Sequence, residues 1–365
     1  SVVGPGDIGL VAPVIDNLPR MDRQGRQVIL ELLAQMGDVE AIPAVLAAAA
    51  RLSPRELRAV EALMVDLGEA AIPRLMQVLG AYQAPYRARA VAARALSALS
   101  HAQFLSQLAR LVDEELGETG QRLAVAERLE AERDRSPALA LLAQAYRERI
   151  AGSVDFTLEL LALAGLAPDF DLLIVSLHSA NPKVRGNAIE AIASGVDNAT
   201  YRRLEPLISR RPRKAGSGAG DIVPLLKAAI EEGNALEAVA AAQALRDHVP
   251  AAALAAELRG ALKPGLTPVF RDSLAALLAL EPGPTVIDRV WALRAVPDFA
   301  TASLEALVLL SERATPQPFG RRPTEVVMPG GSVWLARADI DDVAARYPDL
   351  ALTMLRARDG RAYAA

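Results

Sequence analysis

The sequence contains no cysteine, so disulfide bridges and thiolate chemistry are excluded and a reducing compartment is expected. Aromatic residues make up only 4% of the 365 positions, and the two-residue alternation of strands is almost absent. What remains is an all-helical composition dominated by Ala and Leu. Three histidines occur, His101, His178 and His248, and none has an acidic or second histidine neighbour three or four positions on. Metal-ligand spacing is therefore missing, and surface or helix-end positions are expected for them. No run approaches the roughly 20 apolar residues of a membrane span, and no signal-peptide pattern opens the chain. A net charge of -4 offers no bulk attraction to nucleic acid or to acidic membranes. The stretch "GSGAGD" (216–221) lacks the strand-turn-helix setting of a nucleophile elbow and the Gly-Lys-Ser/Thr ending of a phosphate loop. Carboxylates crowd 113–134, but they interleave with arginines at helical spacing, as solvated i,i+4 pairs do. No catalytic, cofactor-binding or metal-binding set is expected, and the chain reads as non-enzymatic.

What is present is a repeat. Residues 36–52, "MGDVEAIPAVLAAAARL", form an apolar helical pattern carrying Pro43 several residues inside its start, where a proline in a helix interior would cost about 3 kcal/mol. The same arrangement precedes it in "GPGDIGLVAPVIDNL", with Pro13, and follows it in "DLGEAAIPRLMQVLG", with Pro73, a spacing of 30 residues each time. Between these stretches lie "DRQGRQVILELLAQMG", "SPRELRAVEALMVDLG" and "APYRARAVAARALSALS", each opened by a turn signal and closed by Gly or Ser. The unit is a helix pair. The Gly-Asp/Glu step marks a break followed by an acid in the first helical turn, and the proline reads as a bend in the first helix of each pair.

These residues resemble a HEAT repeat of the short bacterial type, and "DFDLLIVSLHSANPKVRGNAIEAIASGV" (169–196) matches the same template with Asn-Pro opening its second helix. Less regular pairs can be drawn at 221–247 and 250–280. The expected fold class is all-α, an α-solenoid of HEAT-like helical repeats with a short irregular C-terminal helical module. The expected organisation is three repeats in 1–100, irregular charged helices in 101–155, further repeats in 156–282 with a flexible basic loop at 210–220, and a helical module in 283–365.

That last module carries a second resemblance. "LRAVPDFATASLEALVLLSERATPQPFG" (293–320) is similar to the leading helices of a cyclic-nucleotide-binding domain, and "WLARADIDDVAARYPDLALTMLR" (334–356) to the helix that closes one. Only 14 residues separate Phe319 from Trp334, whereas eight strands of about 5 residues need roughly 40. The β-roll and its phosphate cassette are therefore expected to be absent, the module reads as a vestige, and cyclic nucleotide is not expected as a ligand. Residues 156–208 also resemble the soluble HEAT region that follows the membrane domain of bacterial transporters similar to ADP/ATP translocases. That resemblance implies a soluble domain or subunit of a larger assembly, cytoplasmic or at the cytoplasmic face of a membrane. Transport itself would need spans that this sequence does not contain.

Two sets of cations stand out. Aligning the second helices places Arg26, Arg58, Arg89, Arg185 and Arg271 at one repeat position. Such a row can act as a structural ladder, each guanidinium bonding a neighbouring repeat through its fork of donors, or as a row of donors for an acidic partner. In "YRRLEPLISRRPRK" (201–214), Arg202, Arg203, Arg210, Arg211, Arg213 and Lys214 face one glutamate. The segment reads either as a solvated helix end or as a contact for phosphates, an anionic membrane surface or an acidic protein. Tyr201 is the only aromatic beside it, so base stacking and nucleic acid are not expected. The expected function is a non-catalytic protein-protein interaction scaffold with another protein as partner. The alternatives are a regulatory or sensing domain of a transporter-like protein and, further off, a catalytic solenoid of the chromophore lyase or DNA glycosylase type.

Overall fold

The computed structural model describes residues 15, 18, 21, 23–82, 84–166, 170–179, 181–209, 221–261, 266–279, 284–315, 324–328 and 331–355. Among these the fold is all-α apart from one β-hairpin. Contacts divide the chain into two compact units, Ser1–Gln121 with Ile150–Arg211, and Arg122–Arg149 with Pro212–Ala365.

The first unit contains α1 (Arg23–Met36), α2 (Ile42–Ala49), α3 (Pro54–Asp66), α4 (Ile72–Leu79) and α5 (Tyr86–Leu99); α2 with α3 and α4 with α5 are helix pairs, and Pro13, in the helix expected before α1, lies outside the described residues. Gly37 and Gly68 close α1 and α3 with φ of 62° and 70°, a left-handed conformation that glycine adopts without steric cost. A short 3-10 turn comes next in each case, Val39–Ala41 capped by Asp38 and Gly68–Ala71 with Glu69 as its second residue, before α2 and α4 begin. This corrects the reading of Pro43 and Pro73 as interior bends: each is the second residue of its α-helix. The donor that proline lacks has no intrahelical acceptor in the first turn, so the ring stands there without breaking a bond.

Packing follows the pair logic. The first helices α2 and α4 pack together, the second helices α3 and α5 pack together, and α4 packs on α5. Ala88, Ala90, Ala92, Ala93 and Ala95 of α5 are all at most 5% exposed, and their small side chains let neighbouring backbones approach. Apolar residues such as Ile42, Leu46, Val60, Leu75, Val91 and Leu96 complete one continuous core. Each contributes about 1.5–3 kcal/mol when fully buried.

The stretch 101–155 is covered by two long helices, α6 (His101–Glu132) and α7 (Pro137–Leu163), and each contributes to both units. The first unit then continues with α8 (Phe170–Leu177), α9 (Pro182–Gly195) and α10 (Asn198–Ile208). The second unit has its own core, built with α11 (Val223–Glu232), α12 (Ala235–Leu245), α13 (Ala251–Ala261), α14 (Pro268–Ala279), α15 (Val286–Arg294) and α16 (Leu304–Arg313). There α11 packs on α13 and α12 on α14, the same layering of first on first and second on second.

The tail departs from the helical module that its sequence suggests. β1 (Thr324–Met328) and β2 (Gly331–Leu335) pair antiparallel, Met328 opposite Gly331, and α17 (Arg337–Arg346) follows. Val326 and Leu335 are 1% and 0% exposed, and β1 packs against α15. Thr315 extends the pairing to Trp334 through two backbone hydrogen bonds of 3.0 and 2.7 Å. Two strands among the described residues are far fewer than a β-roll needs.

Candidate functional site

The five aligned arginines occupy different environments. Arg26 is 2% exposed; its Nε donates to Glu56 Oε1 at 2.6 Å and its Nη1 to the Met21 carbonyl at 2.6 Å. Arg89 is also 2% exposed, pairs with Glu115 Oε2 at 2.6 Å and donates to the Leu79 carbonyl at 3.1 Å. Its guanidinium lies 4.3 Å from the centre of the Phe156 ring. Arg185 donates to the Ser179 carbonyl and Arg271 to the Leu266 carbonyl, each just upstream of its own helix. Arg58 is exposed, and it alone of the five makes no hydrogen bond or ion pair among the described residues. Four of the five are therefore occupied within the fold, and Arg58 is the one whose donors face outward.

Arg58 lines a groove of about 830 Å³ in the first unit, with Pro54, Leu57 and Glu61 of α3, Tyr86, Arg87, Ala90 and Arg94 of α5, Glu159, Ala162 and Leu163 of α7, and Leu172 of α8. The second helices of two consecutive pairs thus form one wall. Arg94 spans the groove: its Nε donates to Glu61 Oε2 at 2.6 Å and its Nη1 to Glu159 Oε1. Burial by itself would lower the pKa of Arg94, but the charges of Glu159 and Glu61 outweigh it and hold the guanidinium more firmly protonated. Arg87 is bound to the Ala50 and Leu52 carbonyls, both at 2.9 Å. The groove holds three arginines and two glutamates, a net charge of +1, and Arg58 is the arginine that has no partner among the described residues.

Its apolar part is Leu172, which is 66% exposed, together with Tyr86 and Leu163. Tyr86 keeps its place because α7 has glycine beneath it: a Cβ on Gly152 would lie 2.8 Å from the ring. Any side chain there would push the ring away.

Of the basic segment, Arg202 is exposed on α10 and Arg203 is engaged, pairing with Asp113 and donating to the Asp113 carbonyl at 2.6 Å. Arg210, Arg211, Arg213 and Lys214 lie outside the described residues. The carboxylates of 113–134 depart from the expectation of solvated pairs along one helix. Arg110 and Glu114 form such a pair at 2.8 Å, but Glu115 is 1% exposed and holds Arg89, and Glu130 accepts from Nε and Nη2 of Arg147, each at 2.6 Å. His178 meets Asp155 at 2.8 Å, a partner 23 positions away that local spacing did not reveal. Among the described residues no group of three or more His, Cys, Asp or Glu could hold a metal ion, and no helix is long and apolar enough to cross a membrane. Comparison of the chain with protein-family models, with curated proteins and with solved structures gave no match.

Proposed function

We propose that the chain is a HEAT-like α-solenoid serving as a non-catalytic interaction scaffold, which receives a segment of another protein in the groove between α3, α5, α7 and α8. The observation that carries this reading is the groove itself: one wall comes from consecutive second helices, and it presents an unmatched cation beside apolar side chains. The layering of first on first and second on second helices supports the repeat reading, because each pair then buries its apolar stripe against its neighbours and leaves the second helices to line a binding surface. The reading also follows the transporter-like resemblance in placing the chain in the cytoplasm, as a subunit or soluble domain of a larger assembly at a membrane face.

A photo-crosslinking residue at Leu172, introduced into the full-length gene product in its own cells, tests this. One at Gln103, an exposed position on α6 outside the groove, is the control. The expected result is a discrete adduct with another protein from position 172 and none from position 103. Equal labelling from both positions, or no adduct from 172, would overturn the assignment of the groove.

A further inference from the structure

Resting on the groove reading above, we propose that the segment bound there is a short acidic-apolar peptide stretch whose single carboxylate is held by Arg58 while an adjacent apolar side chain covers Leu172 and Tyr86.

Charge decides the acidic half. Arg94 is held between Glu61 and Glu159, and Arg87 is held by two backbone carbonyls, so neither has reason to release its partners for a ligand. Arg58 is on α3 one turn before Glu61, is exposed, and has no partner among the described residues. A guanidinium presents a planar fork of donors that fits a carboxylate with two parallel hydrogen bonds. Glu61 and Glu159 limit what else can enter, since a doubly charged phosphate would meet both of them in the same groove. One excess positive charge matches one carboxylate.

The apolar half follows from exposure. Leu172 and Val175 are 66% and 70% exposed, and three positions apart on α8 they share a face. Tyr86, 40% exposed and seated over Gly152, adds a ring with few rotatable bonds to the opposite wall. A segment with only acids would leave this apolar surface in water, and one with only apolar residues would bury Arg58 against nothing. The combination satisfies both, and the carboxylate fixes the register of the segment along the groove.

The test uses random 12-residue peptides displayed on phage and selected on the whole chain, followed by fluorescence polarisation with the best synthetic peptide. The expected pool is enriched in Asp or Glu beside Leu, Ile or Phe. Binding should weaken at least about tenfold in Arg58→Glu and in Leu172→Ser, weaken with added salt, and return in Arg58→Glu when the peptide acid is changed to Lys. Arg58 and Leu172 are exposed, so both variants should keep the parent circular dichroism and melting temperature. Gly152→Ala supplies a second probe, because it pushes the Tyr86 ring out of place without touching Arg58. A pool without acids, an acidic peptide indifferent to Arg58→Glu, no selectable peptide, or displacement by phosphatidylserine vesicles through Arg58 would each overturn the proposal. An adduct from position 172 with a segment that lacks a carboxylate would leave the scaffold reading standing and sink only the pairing of Arg58 with an acid.

Discussion

In the first unit Glu56, the third residue of α3, closes a capping box with Ser53 and takes the Nε of Arg26 at 2.6 Å. In the second unit Glu237, the third residue of α12, closes a capping box with Asn234 and takes the Nη1 of Arg149 at 2.8 Å. The motif is the same: an acid that starts its own helix also ties in a guanidinium from elsewhere in the unit. What differs is which ion is buried. Arg26 has 3% of its side chain exposed against 16% for Glu56, whereas Glu237 is at 0% against 21% for Arg149. The buried Oε1 of Glu237 has no hydrogen-bond partner. Glu148, also in the second unit, is raised to about 7 by burial, which outweighs the Gln144 amide at 2.7 Å, the Leu304 N–H at 2.9 Å and the charge of Arg294. Burial pushes Glu56 up as well, but the Ser53 hydroxyl and Arg26 prevail and hold it below its usual range. At these helix starts the first unit thus encloses the cation and leaves the acid at the edge, and the second encloses the acid, although Glu115 in the first unit and Arg346 in the second are also buried.

The largest expected effect lies where both ions are enclosed. Arg89→Met strands Glu115, 1% exposed, without a counter-charge and should cost about 3–5 kcal/mol in denaturant unfolding. The double variant Arg89→Met with Glu115→Leu should recover most of that loss, since removing both ions leaves no buried charge. Arg149→Met should cost less than Arg89→Met, because the exposed edge of Arg149 marks a route by which water can reach Glu237. Equal losses from the two single variants would erase the distinction between the units.

Proton binding gives a second and smaller contrast, with opposite signs. Glu56 is depressed in the folded state, so its contribution is present above the unfolded pKa and lost as pH falls through the folded value. Glu148 is raised from 4.5 to about 7, so the folded state holds the proton more tightly in that window and stability declines as pH rises through it. The slope is at most about 1.4 kcal/mol per pH unit. Hydrogen exchange read separately on α3 and α16, corrected for intrinsic rates, should show α16 gaining protection from pH 7.5 to 5 while α3 does not. Glu148→Gln should abolish the response of α16. Parallel responses in the two helices would show that these carboxylates do not govern local stability.

The helix pairs were legible because their signals are local: Gly37 and Gly68 as breaks, Ser53 with Glu56 as a start, and a three-to-four residue apolar stripe between. The hairpin left a weaker mark, β-forming residues on both sides of Pro329-Gly330-Gly331, which a helical composition overshadowed. Repeat alignment singled out Arg58, yet it also grouped Arg58 with Arg26 and Arg89, which lie in the interior. Position within a repeat names a helix face but not what covers it. The rest of the groove was beyond local reading, since Arg94 meets Glu61 across 33 positions and Glu159 across 65. Glu115 was missed for the same reason: helical spacing in 113–134 does not say which face meets α5.

The smallest effect concerns the prolines, and here the two units should behave alike. Pro43 is the second residue of α2 and Pro224 the second residue of α11, each the first helix of a pair. Replacing either with Ala restores an N–H that has no intrahelical acceptor in the first turn, so no backbone bond is gained. The folded geometry is unchanged, because the φ of proline already suits a helix start. The unfolded chain, by contrast, gains freedom when the ring is removed. Both Pro43→Ala and Pro224→Ala should therefore cost only about 0.4–1 kcal/mol, with the helical circular dichroism preserved. A gain in stability from Pro43→Ala would mean that the ring strains α2 after all. A loss well above 2 kcal/mol would mean that it fills a packing site which Ala cannot, and a split between the two variants would show that the pairs are not built on one plan.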